Sequence, residues 1–373
     1  MKDTMGIIFT YKNDEALKSL TQKRAVASIP YGGRYRIVDF ALSNLVNSGV
    51  TKVGIITRNN YQSLMDHLGT GKEWDLSRKR DGLYILPPFS QVEDYGAANY
   101  RGRMEAMNNA GTFIRRSTSE YVIMSDADCI CNLTFDEALE FHKQKKADIT
   151  LFYKKGSYGQ QAYADSCFLD VDDDGHVTDV TINPAVGRIN LSMGQVIISK
   201  SLLESLVQEC VSHNLYSFKR DVLQRKLHDL KIYGYEYKGY YARIDSVAAY
   251  YQANMDLLNE SLRMELFYKG NQIFTKIRDE VPTLYRNSSD VRNSLLADGC
   301  VIEGTVENSI LFRGVRVRKG AKISNSIIMQ DCEIQANTQL NYVISDKDVV
   351  IRENRKLFGF ELFPMVLAKG SVV

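Results

Sequence analysis

Two hydrophobic rhythms divide the chain. Over its first two-thirds, short apolar runs alternate with stretches of helical period. The runs Met5–Phe9, Lys52–Thr57, Tyr121–Ser125, Asp148–Tyr153, Cys167–Val171 and Gly194–Ile198 predict strands. Phe40, Leu42, Leu45 and Val46 share one side of a helix within 40–50 that stops at Gly49. Residues 134–148 predict a second helix, with Thr134 as N-cap, an acidic first turn and a basic last turn. Residues 246–267 predict a long third helix, in which Tyr251, Met255, Leu258, Leu262 and Leu266 recur at three- and four-residue spacing. This alternation predicts an α/β domain built on a Rossmann-like, mostly parallel sheet. Residues 168–184 alternate on both sides of Asp172-Asp173-Asp174-Gly175 and predict a hairpin. Its acidic turn starts like a calcium loop, but the twelfth loop position is Thr181 where calcium needs a bidentate glutamate. The tyrosine-rich run 233–241 reads as strand and core packing.

The last ninety residues follow a different rhythm. Laying 306–323 over 323–340, an offset of 17, matches Asn308 with Asn325, Ser309 with Ser326 and Ile310 with Ile327. Asn293-Ser294-Leu295 repeats the motif at an offset of 15, and Ile344 and Ile351 continue the register. Apolar residues about every six positions predict the coils of a left-handed parallel β-helix with three short faces. The expected organisation is an α/β nucleotidyltransferase-like domain over 1–268, a linker over 269–286 and the β-helix over 287–373.

Composition narrows the function classes. The 373 residues are 44% hydrophobic and 25% charged, with a net charge of +2. That describes a globular protein with no reason to bind nucleic acid or a membrane surface. No apolar run approaches the roughly 20 residues that span a bilayer, and the start is too polar for a signal peptide, so a cytoplasmic protein is expected. The six cysteines read as reduced, buried thiols. Cys129 and Cys131 form the one close pair, without the second pair or histidine that would complete a zinc site.

The chemistry is keyed to the segment after the first strand. A nucleotide domain should place a glycine-rich phosphate turn there. No glycine lies between Gly6 and Gly32. The stretch "LTQKRAVASIPYGGRYRIVDFALSNLVNSGV" (20–50) nevertheless resembles the start of bacterial glucose-1-phosphate adenylyltransferase, or ADP-glucose pyrophosphorylase. "NYRGRMEAM" (99–107), "EYVIMSDAD" (120–128), "SMGQVIIS" (192–199) and "SVAAYYQANMDLL" (246–258) follow in the family's order. The resemblance implies a reaction of ATP with glucose 1-phosphate that yields ADP-glucose and pyrophosphate, with Mg²⁺ and positive charge stabilising the triphosphate.

The departures from the family pattern fall on that chemistry. The loop glycines align with Tyr11, Lys12 and Asp14, the loop arginine with Ala16 and a lysine with Val26. Asp128 aligns with the first metal aspartate, with Asp126 close by. Arg243 stands at the second, with Asp245 two residues on. Arg103 and Met104 replace a small threonine and alanine beside the nucleotide, and Ile182-Asn183 replaces a Glu-Lys pair that contacts the sugar. Ser192 and Gly194 are retained. The resemblance therefore implies a degenerate pocket, no catalytic residues and no resident metal or other cofactor. It implies a regulatory subunit that assembles with a catalytic homologue, as a heterotetramer, in glycogen synthesis. Lys23, Arg24 and Arg36 are candidates for binding a phosphorylated effector, or for structural pairing with Asp39 or nearby carbonyls. Two alternatives stand beside this reading. One is an active adenylyltransferase with a rebuilt loop, which would need Mg²⁺. The other is a stand-alone sensor of a nucleotide sugar or effector.

Overall fold

The computed structural model describes residues 1, 3–10, 16–58, 60–88, 100–156, 165–184, 188–268 and 270–373. Among these residues nine strands form the main sheet: β1 (Thr4–Phe9), β2 (Lys52–Ile56), β3 (Gly82–Leu86), β4 (Tyr121–Asp126), β5 (Ile149–Lys155), β6 (Cys167–Val171), β7 (Val177–Ile182), β8 (Asn190–Ser199) and β9 (Ile232–Glu236). Their order is β7-β6-β8-β4-β1-β2-β3, with β5 pairing β8 and β9. The half around β1 is parallel, and β8 runs antiparallel to β4, β5 and β6. Strand periodicity divides β1 between two cores. Met5, Ile7 and Phe9 pack with Met104, Met107 and Leu203 on one face. Ile8 packs with Leu42 and Leu45 of helix α1 (Ile37–Asn47) on the other.

Two helical expectations change in detail. The helix expected from Thr134 is α2 (Asp136–Lys145), preceded by Phe135. Asn44 of α1 and Ser48, which caps its C-terminus, fix the approach to it: Leu133 N donates to Asn44 Oδ1 (3.1 Å) and Phe135 N to Ser48 Oγ (2.8 Å). The long helix expected over 246–267 is broken into α3 (Val247–Met255) and α4 (Glu260–Phe267). Asn259 leaves helical geometry between them, and its Oδ1 caps α4 by accepting from Ser261 N (2.9 Å).

Among the described residues, the C-terminal region winds through three five-stranded parallel sheets. Each Asn-Ser repeat marks a corner of this β-helix. Asn293, Asn308 and Asn325 all adopt positive φ, which asparagine tolerates better than most side chains. The serine behind each asparagine links successive coils. Ser309 N donates to Ser294 Oγ, Ser326 N to Ser309 Oγ and Val343 N to Ser326 Oγ, each at 3.1 Å. Inside, Ile302, Val317, Ile334 and Ile351 stack fully buried.

The two regions share one apolar core. Tyr31, Phe40, Tyr250 and Tyr251 pack with Ile310, Phe312, Ile327, Met329 and Ile344 of the β-helix. Tyr251 Oη donates to the Asn325 carbonyl at 2.8 Å, and Arg24 makes a buried ion pair with Asp346.

Candidate functional site

The first candidate site lies where such sheets place ligands, beyond the carboxyl ends of β1 and β4. Asp126 ends β4 and Asp128 follows two residues later. Arg243 reaches Asp128 from a two-residue strand, Ala242–Arg243, that pairs antiparallel with Cys129–Ile130. Its Nε lies 3.7 Å from Asp128 Oδ2 and 3.9 Å from Asp245 Oδ2. Burial pulls the Arg243 guanidinium down, but Asp128, Tyr241 and Asp245 more than offset this and hold it above the ordinary range. Burial raises the Asp245 carboxyl, with Arg243 opposing. Arg103, the first residue of the helix Arg103–Asn109, forms an ion pair with Asp126. Its guanidinium also stands 4.4 Å from the Phe9 ring centroid and 5.8 Å from that of Phe218.

Gly194 closes the cleft from β8. The pairing of β8 with β5 shifts register between Ser192 and Val196, and Gly194 takes φ +83° in that bulge. A Cβ there would stand 2.2 Å from Asp126 Oδ2, so only glycine permits the close approach. What is left between Arg103, Asp126, Asp128, Ser192, Gly194 and Arg243 is a cavity of about 20 Å³. That is room for roughly one water molecule.

Magnesium prefers octahedral oxygen ligands and keeps several of its waters. These residues do not fit it. Guanidinium groups already stand on Asp126 and Asp128, and the space admits no hydrated ion. Among the described residues, no group of three or more His, Cys, Asp or Glu is placed to hold a metal.

The remaining candidates are scattered. Tyr11, Lys12 and Asp14 lie outside the described residues. Ala16 is exposed in a turn, whereas Val26 is fully buried in the core shared with the β-helix. Ile182 and Asn183 line an adjoining cleft of about 430 Å³ with Arg58, Arg101, Lys219 and Arg220.

A second site lies between the domains. It is a cavity of about 490 Å³ lined by eight lysines and arginines against three aspartates. Lys23 and Arg36 belong to it. Arg24 does not line it: its Nε donates to Leu20 O (3.0 Å) and its Nη2 is bound to Asp346. Asp39, offered above as an ion-pair partner, instead accepts from the Arg36 backbone N (2.9 Å) and contacts His67 Nε2 (2.5 Å). The Arg36 side chain donates to Ser63 O (2.5 Å) and Ser63 Oγ (2.9 Å), so Arg36, like Arg24 on Leu20 O, pairs with a nearby carbonyl.

Arg34 lies two residues from Arg36, and the other cations come from distant segments: Lys276, Arg278, Arg313, Lys347 and Lys369. They crowd one another. Burial first, then Arg36 and Arg24, push the Lys347 ammonium from 10.5 to about 7. Burial, then Arg24 and Arg278 against the pull of Asp39 and Asp66, lower Arg36 to about 10. Arg313 is lowered by burial and by Arg34, and its Nε is buried without a hydrogen-bond partner. Positive charge held at such a cost is suited to an anion. Sequence spacing signalled Lys23 and Arg36 in "QKRA" and "GGRYR", but nothing local tied Lys347 or Lys369 to them.

Comparison with known proteins agrees with this architecture. Residues 15–260 match the nucleotidyl transferase family, and residues 281–361 match the GlmU-like C-terminal hexapeptide family. The chain is 37% identical to the glycogen biosynthesis protein GlgD of Bacillus subtilis (strain 168), over 99% of this chain and 96% of the relative. It is 37% identical to GlgD of Geobacillus stearothermophilus, over 86% of this chain and 82% of the relative. It is also 32% identical to the glucose-1-phosphate adenylyltransferase of Geobacillus stearothermophilus, over 86% and 83%. The chain belongs to the nucleotidyl transferase family, in the group that holds GlgD proteins and glucose-1-phosphate adenylyltransferases.

Proposed function

We propose that this chain is a non-catalytic regulatory subunit of a bacterial ADP-glucose pyrophosphorylase, acting in the cytoplasm in glycogen biosynthesis. One observation carries the reading: the carboxylates at the strand ends are bound by Arg103 and Arg243, in a space of about 20 Å³. A metal that carries a triphosphate needs those carboxylates as oxygen ligands. The names of the relatives point to the pathway. Among the described residues no helix is long and apolar enough to cross a membrane, which accords with the cytoplasmic reading.

A subunit without chemistry acts by favouring one conformation of its partner. The partner in this reading is a catalytic homologue, in a heterotetramer. The interdomain cavity supplies an input, because a phosphorylated effector there would neutralise cations from both domains. The test is pyrophosphate release from ATP and glucose 1-phosphate with Mg²⁺, using the catalytic homologue alone and co-expressed with this chain. A raised rate, or a changed effector response, in the mixture supports the reading. Two homologues that neither co-purify nor alter each other's kinetics overturn it.

A further inference from the structure

We infer that Arg103 and Arg243 are resident cations of the strand-end cleft, doing permanently the charge neutralisation that a bound metal would do intermittently. This does not depend on the regulatory reading; it concerns how the cleft of this chain is held together.

The residues form two clamps. In the first, Arg103 stands on Asp126 while its flat guanidinium lies near Phe9 and Phe218. In the second, Arg243 lies between Asp128 and Asp245, and its Nη2 donates to the Asp165 carbonyl at 3.2 Å. The ion-paired side chains of Arg103, Asp126, Asp128 and Arg243 are between 1% and 11% exposed. Carboxylates this deeply buried are costly unless paired, and removal of one partner leaves an uncompensated charge. Arginine suits the task, being always charged and offering several fixed donors to one site. A metal site holds its charge only while the ion is bound. Here the charge is covalently attached, and it joins segments that are far apart in sequence: the ends of β1 and β4, the helix start at Arg103, the π-helix start at Phe218 and the strand at Arg243. These ion pairs hold the strand ends and the two arginine-bearing segments together without a bound ion.

The experiment uses the full chain and needs first no variant. Mn²⁺ binding is followed by the paramagnetic signal of the free ion, and thermal unfolding is recorded with and without Mn²⁺. The native protein should take up no Mn²⁺ at micromolar concentrations and show no shift in Tm. Arg243→Ala should lose about 10 °C in Tm, bind one Mn²⁺ per chain, and regain at least half the loss at millimolar Mn²⁺. The triple variant Arg243→Met/Asp128→Asn/Asp245→Asn removes every charge of the second clamp, so it should fold with a Tm near native and bind no Mn²⁺. Stoichiometric micromolar Mn²⁺ binding by the native chain overturns the inference. So does an Arg243→Ala protein with native Tm, or one whose loss Mn²⁺ does not relieve. If Arg243→Ala fails to fold, the triple variant decides: a near-native Tm supports charge neutralisation, and an equal failure refutes it.

Discussion

Removing Asp346 should loosen the joint between the two domains by a calculable amount. Arg24 and Asp346 form an ion pair with side chains 6% and 5% exposed. With Asp346→Ala, the Arg24 guanidinium keeps its bond to Leu20 O but loses its counter-charge. It is left near the like-charged Arg36 and Lys347. Breaking one side of a buried pair costs about 3–5 kcal/mol. With a urea slope of about 2 kcal/mol/M, the unfolding midpoint should fall by about 1.5–2.5 M. The double variant Arg24→Met/Asp346→Leu removes both charges and should recover most of that loss, because apolar pairs of similar volume replace buried ion pairs well. Trp74, the chain's one tryptophan, is 1% exposed and reports unfolding of the first domain by fluorescence. Circular dichroism follows the β-helix in parallel. A midpoint shift below about 0.3 M for Asp346→Ala, or a double variant as weak as the single, would refute the reasoning.

Other predictions address the two sites. Gly194→Ala sets a methyl 2.2 Å from Asp126 Oδ2 at φ +83°, and should cost about 1–3 kcal/mol by urea unfolding. Val26→Lys places an ammonium where valine is fully buried, and should destabilise by about 4 kcal/mol without producing pyrophosphate release. For Lys347, the folded value of about 7 lies below the ordinary 10.5, so between those values the unfolded chain holds more protons. Its contribution to stability should therefore rise with pH from about 7 towards 10.5, and Lys347→Met should abolish that slope. An anion in the cavity favours the protonated lysine. Sulfate affinity, measured by calorimetry, should fall as pH rises through 7 in the native protein but not in Lys347→Met. Unchanged sulfate affinity from pH 6 to 8.5 in the native chain would contradict the assignment.

Local chemistry wrote much of the fold into the sequence. The Asn-Ser motif was legible as a repeat because each copy does the same two jobs, a positive-φ corner and a hydroxyl bridge to the next coil. The hairpin at 168–184 was legible because alternation and its Asp-Gly turn agree. The break at Asn259 was less visible, since the apolar spacing continues across it and only the cap reveals the interruption. Thr134 failed as an N-cap because two side chains at the end of α1, Asn44 and the C-cap Ser48, hold the backbone on either side of it from outside the helix. At the strand-end cleft, Arg243 could be placed against Asp128 because both lie at positions the family pattern marks. That Arg103 would settle on Asp126 depends on the packing of a helix start against a strand end. The interdomain cavity was the least legible feature. Its cations come from opposite ends of the chain, and Arg24, adjacent in sequence to Lys23, turns instead into the joint with Asp346.

The central claim is that this cleft no longer handles a metal-bound triphosphate. Its most direct test is pyrophosphate release by the purified chain alone, at high protein concentration, with saturating ATP, glucose 1-phosphate and Mg²⁺. The account predicts no release above the protein-free rate, with and without a phosphorylated effector. Sustained multiple turnover, abolished by Asp128→Asn, would show that the carboxylates held by Arg103 and Arg243 still serve catalysis, and would contradict it.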